Sequence, residues 1–166
     1  GFNYDQISLW IKTNHQAGKQ ILSDQFRLIN DRNYWVISPL KEIQSQQVFK
    51  INELQNIDSP IKLKVSKEIT RFPIEKKNNI GLFNINKVTF PLTIRKWKNG
   101  DYMIPLGLKG KKKISDILID KKVSIIEKEN IYVMISNQEI IWLIGQCVSE
   151  KYKVRQGDEK NLKIVF

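Results

Sequence analysis

The sequence contains few of the side chains on which metal and nucleophilic sites usually depend. Among 166 residues there is one cysteine, Cys147, and one histidine, His15. A single cysteine excludes an intrachain disulfide and a cysteine-based zinc site, and a single histidine excludes metal sites that need two. We interpret Cys147 as a small hydrophobe that ends an apolar strand, and His15 as a surface residue. The low cysteine content is typical of a reducing cytoplasm, where we expect the protein.

Nucleotide-binding and membrane signals are also missing. Neither a GxxxxGK[ST] loop nor a GxGxxG turn occurs, so no nucleotide site is recognisable. No apolar run approaches the ~18 residues of a membrane span, and the N-terminus lacks a signal-peptide pattern. We therefore expect no membrane partner. The chain starts at Gly1 without a methionine, which suggests part of a longer protein.

Acidic residues are scarce relative to basic ones. The chain has 28 Lys and Arg against 17 Asp and Glu, a formal net charge of +11. Such an excess of positive charge is informative about binding partners but not about the fold. Nucleic acid is the first candidate, because bound cations release counterions from phosphates. Anionic membrane surfaces are the second.

Apolar residues alternate at period two over much of the chain, which predicts half-buried strands. The expected fold is α+β and mainly β, sandwich-like, with antiparallel or mixed sheets and a few short helices. The predicted helices cover residues 3–14, capped by Asn3, and 115–122, whose apolar face is Ile114, Ile117 and Leu118. The predicted strands cover residues 20–28, 34–38, 61–65, 69–74, 88–95, 131–136, 139–145, 152–155 and 162–166. Strands 131–136 and 139–145 are expected to form a hairpin around Asn137-Gln138. Pro91 suggests that strand 88–95 is an edge strand or carries a bulge.

We predict three segments. Residues 1–40 form a helix and a hairpin. Residues 41–87 form a β-rich connecting segment, and residues 88–166 form a C-terminal domain.

Four lysines crowd the predicted start of helix 115–122, where the helix dipole disfavours cations. They are Lys109, Lys111, Lys112 and Lys113. This arrangement favours an external anion such as phosphate, bound by ammonium groups and free backbone N–H groups. Gly107 and Gly110 would allow a close backbone approach. The alternative is a solvated lysine face, which is what most charge runs are.

Nearby carboxylates and aromatic residues have two interpretations each. Asp101, Asp116 and Asp120 could perform acid/base chemistry, but capping and salt bridges to neighbouring lysines explain them as well. Trp97, Tyr102 and Tyr152 could stack on bases, or could belong to the core.

One coordinated set of motifs is more specific than any of these features. It comprises Arg95, Gly100-Asp101, Pro105-Leu106-Gly107, Gly110, Lys112-Lys113 and Ser115-Asp116. This set closely resembles the C-terminal domain of tRNA(Ile)-lysidine synthases. Further matches are residues 141–145, 150–154, 18–23 and 27–32.

The resemblance implies an ATP-dependent ligase. With ATP, magnesium and free lysine, the family converts the wobble cytidine of the CAU anticodon of tRNA(Ile) to lysidine. That chemistry belongs to an N-terminal ATP-pyrophosphatase domain, so the resemblance implies no catalytic residue, metal site or cofactor in this chain. The resemblance implies that residues 1–40 are the end of the catalytic or substrate-binding region and that residues 88–166 are the C-terminal tRNA-binding domain. This domain is implied to bind the acceptor stem and to help reject methionine tRNA. The resemblance leaves undecided whether the full-length enzyme is a homodimer.

Charge and resemblance together give the expected site. The expected RNA-contacting residues are Arg95, Lys109, Lys111, Lys112, Lys113, Ser115, Lys151 and Arg155. The expected loop-shaping residues are Gly100, Asp101, Pro105, Gly107, Gly110 and Asp116. The sequence departs from the family where Cys147 replaces an arginine, Ser149 an aspartate and Ser124 a proline.

Two alternatives remain at the level of sequence. The first is a protein-interaction or dimerisation module that uses an apolar strand edge such as residues 140–144. The second is a free-standing enzyme with a carboxylate site around Asp101 and Asp116.

Overall fold

The structure is a computed structural model, and it describes residues 1–13, 16–32, 34–40, 47–69 and 77–166. The chain forms two compact units. Unit 1 comprises Gly1–Ser45 with Ser124–Ile126, and unit 2 comprises Gln46–Val123 with Glu127–Phe166. His15 and most of the strand predicted over residues 69–74 lie outside the described residues.

Unit 1 combines a helix with a small antiparallel sheet in the order β1-β2-β3. The Asn3 side chain accepts a hydrogen bond from the Gln6 backbone N–H at 2.8 Å, so the predicted helix cap is confirmed. The strand predicted over residues 20–28 is two strands, because Ser23 turns the chain by bonding to Phe26 through its hydroxyl and its N–H. The elements are α1 (Tyr4–Thr13), β1 (Gln20–Leu22), β2 (Phe26–Asp31) and β3 (Tyr34–Pro39).

Unit 2 contains the remaining strands, and the pairings between its described strands are antiparallel. The sheets run β12-β11-β10-β7-β4, β5-β13-β6 and β8-β9. The predicted α+β, mainly β fold is therefore confirmed. The strands are β4 (Phe49–Ile51), β5 (Lys64–Glu68), β6 (Ile80–Asn84), β7 (Leu92–Lys96), β8 (Tyr102–Met103), β9 (Lys112–Lys113), β10 (Tyr132–Ser136), β11 (Glu139–Leu143), β12 (Cys147–Val148) and β13 (Asn161–Val165). The helix of unit 2 is α2 (Ile114–Asp120), with 3-10 turns at Ile85–Lys87 and Glu150–Tyr152; a further short helix, α3 (Ile125–Lys128), has its first two residues in unit 1 and its last two in unit 2.

The main core of unit 2 is contributed by both larger sheets. It includes Ile94, Trp142 and Ile141 from the five-stranded sheet and Phe83 and Ile164 from the three-stranded one, all fully buried. The rings of Phe83 and Trp142 meet edge to face with centroids 6.1 Å apart. This contact needs Gly81, because a Cβ at that position would lie 2.6 Å from the Phe83 ring.

The predicted division at residue 87 stays a prediction, but strands from either side of it share sheets. Strand β4 pairs with β7, and strands β5 and β6 flank β13. Residues 47–69 and 77–87 therefore supply sheet partners to the strands that follow them.

Two local predictions are confirmed in unit 2. The hairpin between β10 and β11 turns at Asn137 and Gln138, both with positive φ, as a tight hairpin requires. The short helix is α2, which buries Ile114, Ile117 and Leu118, the apolar face predicted for it.

Two others are wrong. Strand β7 is an interior strand between β10 and β4. Pro91 is compatible with this position because it precedes the first residue of the strand and removes no ladder hydrogen bond. Residues 152–155 form no strand: Tyr152 ends a 3-10 turn, its N–H bonded to the Ser149 carbonyl, and Lys153 makes an isolated bridge to Phe83.

Within the described ranges, no helix is long and apolar enough to cross a membrane. The same ranges bring together no group of three His, Cys, Asp or Glu side chains suited to a metal ion.

Candidate nucleic-acid interface

The basic residues of interest lie on the segment 104–113 that connects β8 to α2, which we call the lysine loop. Strands β8 and β9 pair at its two ends, with Tyr102 opposite Lys113 and Met103 opposite Lys112. The N–H of Ile114 donates to the carbonyl of Asp101 at 2.9 Å. Because Met103 and Ile114 are buried in a second core cluster, both ends of the loop are fixed to unit 2.

Asp101 holds the start of this region through a buried ion pair. Its two carboxylate oxygens accept from the Arg95 guanidinium at 2.7 and 2.8 Å, and one also accepts from the Lys98 N–H at 2.9 Å. Burial raises the pKa of Asp101, but the bonds from Arg95 and Lys98 outweigh it and leave the pKa below its ordinary value. Gly100 adopts a positive φ of 90° in the adjoining turn.

This geometry changes the expected role of Arg95. Its side chain is only 14% exposed, and the same guanidinium also donates to the Lys96 carbonyl. A group with these partners stabilises the loop, so we leave Arg95 out of the interface proposed below. The enzyme alternative loses support as well, because an ionised carboxylate bound to arginine is a poor proton donor or acceptor near neutral pH.

The middle of the lysine loop is fixed from the other side. The N–H of Gly107, which has a positive φ of 89°, donates to the Glu150 carboxylate at 2.8 Å. This bond, followed by one from Lys153, lowers the pKa of Glu150. Pro105 bridges to Ser149. Gly110 differs, because a Cβ there would meet no described atom within 4 Å, so the fold does not require a glycine at that position.

Three of the four lysines in the cluster point to solvent. Lys109, Lys111 and Lys113 are exposed. The Nζ of Lys111 lies 4.4 Å above the centroid of the Tyr102 ring, itself half exposed. Lys112 is half-buried, and its ammonium pairs with Asp120. The loop therefore presents three exposed cations, one of which lies over an aromatic ring.

A second group of predicted residues adjoins this surface. Lys151 pairs with Glu139, and the Tyr152 hydroxyl donates to the same carboxylate at 3.0 Å. Burial and Glu139 together raise the pKa of Tyr152 to about 12, so it stays a neutral donor. Lys111 and Lys151 line one cavity of about 170 Å³. The lysine loop and Lys151 thus come together in the fold.

The remaining candidates take separate positions. Ser115 donates to Asp116 at 3.2 Å in the first turn of α2, where Asp116 is exposed. Arg155 is exposed, and its N–H bonds to Asp158. Trp97 packs in the second core cluster and donates to the Lys128 carbonyl at 2.6 Å, so it is not a stacking platform.

Cys147 occupies a partly buried position in the second core cluster. Its Sγ lies 4.0 Å from the Met103 sulfur, and burial raises the pKa of the thiol. A raised pKa disfavours the nucleophilic thiolate. The residue therefore acts as packing.

The dimerisation alternative depended on residues 140–144 as an apolar edge. Strand β11 instead lies between β10 and β12, and Ile140 through Ile144 are all buried. That expectation is wrong, because the hydrophobic residues are used within the five-stranded sheet.

Sequence reasoning missed Glu139 and Glu150. Their partners are Lys151, 12 residues away, and Gly107, 43 residues away. No local spacing indicates pairs this distant. The antiparallel pairing of β11 with β12 precedes the first contact, and the bridge between Pro105 and Ser149 adjoins the second.

Comparisons with known proteins agree with this fold and with the motifs. The family model described as the TilS substrate C-terminal domain matches residues 92–164, and that described as the TilS substrate binding domain matches residues 1–40. A crystal structure of the TILS C-terminal domain superposes with a TM-score of 0.61 at 18% identity, covering 72% of this chain and 95% of that one. This likeness establishes the fold.

Relatives in sequence extend the match to most of the chain. The tRNA(Ile)-lysidine synthase of Parabacteroides distasonis is 35% identical over 154 residues, which cover 91% of this chain and 35% of the relative. That of Bacteroides thetaiotaomicron is 33% identical over 169 residues, covering 100% and 36%. The chain thus spans about a third of the length of these relatives. It belongs to the tRNA(Ile)-lysidine synthase family and contains the C-terminal domain of that family.

Proposed function

We propose that this chain binds tRNA(Ile) with a CAU anticodon for a lysidine-forming enzyme, and that it contacts the acceptor stem through the lysine loop. Catalysis, with ATP, magnesium and lysine, is assigned by this proposal to the other two thirds of the length of the relatives. No catalytic residue is proposed in this chain.

The observation that carries the proposal is the fixed display of Lys109, Lys111 and Lys113. Their side chains face solvent, while the loop that bears them is hydrogen-bonded at both ends and at Gly107. A loop already ordered loses little conformational entropy when it binds, so more of the electrostatic attraction appears as affinity. The net charge of +11 attracts RNA over a longer range.

Three exposed lysines on one loop suit an RNA duplex better than a small ligand. An RNA duplex presents mainly phosphates, 2′-hydroxyls and shape to a protein, and separated lysines can each meet one phosphate. Tyr102 lies opposite Lys113 and under the ammonium of Lys111, where its half-exposed ring can contact a ribose or an end base. Lys151 and Arg155 would extend the contact, although Lys151 must share its charge with Glu139.

The test is binding of the chain to isoleucine tRNA and methionine tRNA across a salt series. With three phosphate contacts, the slope of log affinity against log salt should be roughly −2.7, or ~40-fold lost between about 50 and 200 mM salt. Changing Lys109, Lys111 and Lys113 together to alanine should remove most of that slope. Tighter binding to isoleucine tRNA than to methionine tRNA would show that the chain also discriminates between the two.

The matched control changes three other exposed lysines of unit 2, Lys62, Lys64 and Lys67, to alanine. It removes the same charge from a different surface. If the control weakens binding as much as the loop variant, only net charge matters and the proposed interface is wrong. Salt-independent binding would also contradict the proposal.

A further inference from the structure

A groove of about 830 Å³ lies in unit 2 next to the lysine loop. Its lining combines β6, β12, α2 and the segment that follows the Glu150–Tyr152 turn. The apolar side chains on its walls include Ile80, Leu82, Ile117, Val148 and Val154. A cavity of this size lies in the range of small-molecule sites, and its apolar walls favour a flat, weakly hydrated group.

The rim of the groove is basic. Five cations line it, against the carboxylates of Asp120 and Glu150. The five are Lys77, Lys112, Lys121, Lys153 and Arg155. Both carboxylates are already bound to rim lysines, Asp120 to Lys112 and Glu150 to Lys153. The rim therefore has a net positive charge, which favours an anionic occupant over a neutral one.

The groove is continuous with the proposed RNA interface. Leu106, Gly107 and Leu108 line it, and they belong to the same loop as Lys109, Lys111 and Lys113. Leu108 is 46% exposed at this position. An RNA strand held by the three lysines would therefore pass close to an opening that combines apolar walls with cations.

We propose that this groove receives an unpaired nucleotide from the end of the bound acceptor stem, with the base against the apolar walls and the phosphate near Arg155 and Lys121. The inference rests on the proposed function and extends it from the duplex to the single-stranded end. Paired bases have their faces covered by stacking, so only an unpaired base can offer its face to these walls. Protein pockets hold extruded bases between apolar side chains in the same way.

The experiment compares acceptor-stem hairpins that carry or lack the unpaired 3′ nucleotides, plus a hairpin whose 3′ extension is abasic. For the unchanged chain, the full extension should raise affinity roughly tenfold over the blunt hairpin, a typical value for burying one base. The abasic extension keeps the phosphates and should give little of this gain. Leu108→Ser should reduce the gain, and Ile119→Ser, at an exposed α2 position outside the lining, should not.

The outcomes separate the two proposals. If the blunt hairpin binds with the expected salt dependence but the extension adds nothing, the groove proposal is overturned and the proposed function stands. If the abasic extension gives the full gain, phosphates alone explain it and the groove proposal fails. If the blunt hairpin does not bind at low salt, the proposed function fails and the groove proposal fails with it.

Discussion

Two groups of charged residues lie in the stretch from β7 to α2, and they differ in burial and in pairing. The inner group is Arg95 with Asp101, whose side chains are 14% and 7% exposed and joined by two hydrogen bonds. The outer group is Lys109, Lys111 and Lys113, which are exposed and bonded to no carboxylate that the structure shows in the described ranges. Residue type alone does not distinguish the groups.

The difference follows from the cost of removing a charge from water. A buried charge must be paired and hydrogen-bonded, so Arg95 and Asp101 are committed to each other and to the loop. An exposed lysine keeps its hydration and can exchange it for a phosphate. Lys112 is intermediate, because it is half-buried and paired with the exposed carboxylate of Asp120. A salt bridge this accessible to water contributes little to the stability of the fold.

The strongest test of the inner group is Asp101→Asn. The change leaves the Arg95 guanidinium buried without its counter-charge, and we expect unfolding free energy to fall by about 3 kcal/mol. Urea unfolding followed by circular dichroism would measure this. The control is Asp116→Asn, at an exposed carboxylate, which should change stability by less than about 0.5 kcal/mol. Equal losses in the two variants would mean that the ion pair does not hold the loop.

Acid should weaken the inner group before it affects the outer one. The pKa of Asp101 lies below its ordinary 3.8, so its contribution is fully present above that value and is lost as pH falls through the folded-state pKa. Glu139 and Glu150, lowered from 4.5, act in the same direction. Stability should therefore decline as pH falls from about 5 towards 3. In Asp101→Asn the decline should be shallower, and an unchanged profile would contradict the assignment.

Local patterns gave most of the secondary structure. Period-3.6 spacing identified α2 and its buried face, and Asn137-Gln138 identified the hairpin, because both signals lie within a few residues. The lysine cluster and the Gly-Asp and Pro-Leu-Gly motifs also located the candidate loop. Strand β7 was expected to be an edge strand or to carry a bulge, and it is an interior strand. The number of strands that flank it depends on residues far along the chain.

Burial was the part of the site that the sequence could not predict. Arg95 was expected to bind phosphate, because its charge can be read from the sequence. Its burial and its ion pair with Asp101 cannot. The four lysines looked equivalent, yet the short pairing of β8 with β9 sends Lys112 towards Asp120 while Lys113 lies opposite Tyr102. Such distinctions arise from tertiary contacts.

The smallest expected effect distinguishes adjacent lysines. Lys113→Ala should lower the affinity for acceptor-stem RNA a few-fold and reduce the salt slope by about 1, because one phosphate contact is lost. It should leave stability unchanged. Lys112→Ala should leave the slope nearly unchanged and cost at most about 1 kcal/mol of stability, because its ammonium is paired with Asp120. Binding across a salt series and urea unfolding of both variants would measure these effects. Identical salt slopes for the two variants would show that the Asp120 pair opens on binding, and that all four lysines then act as one cationic surface.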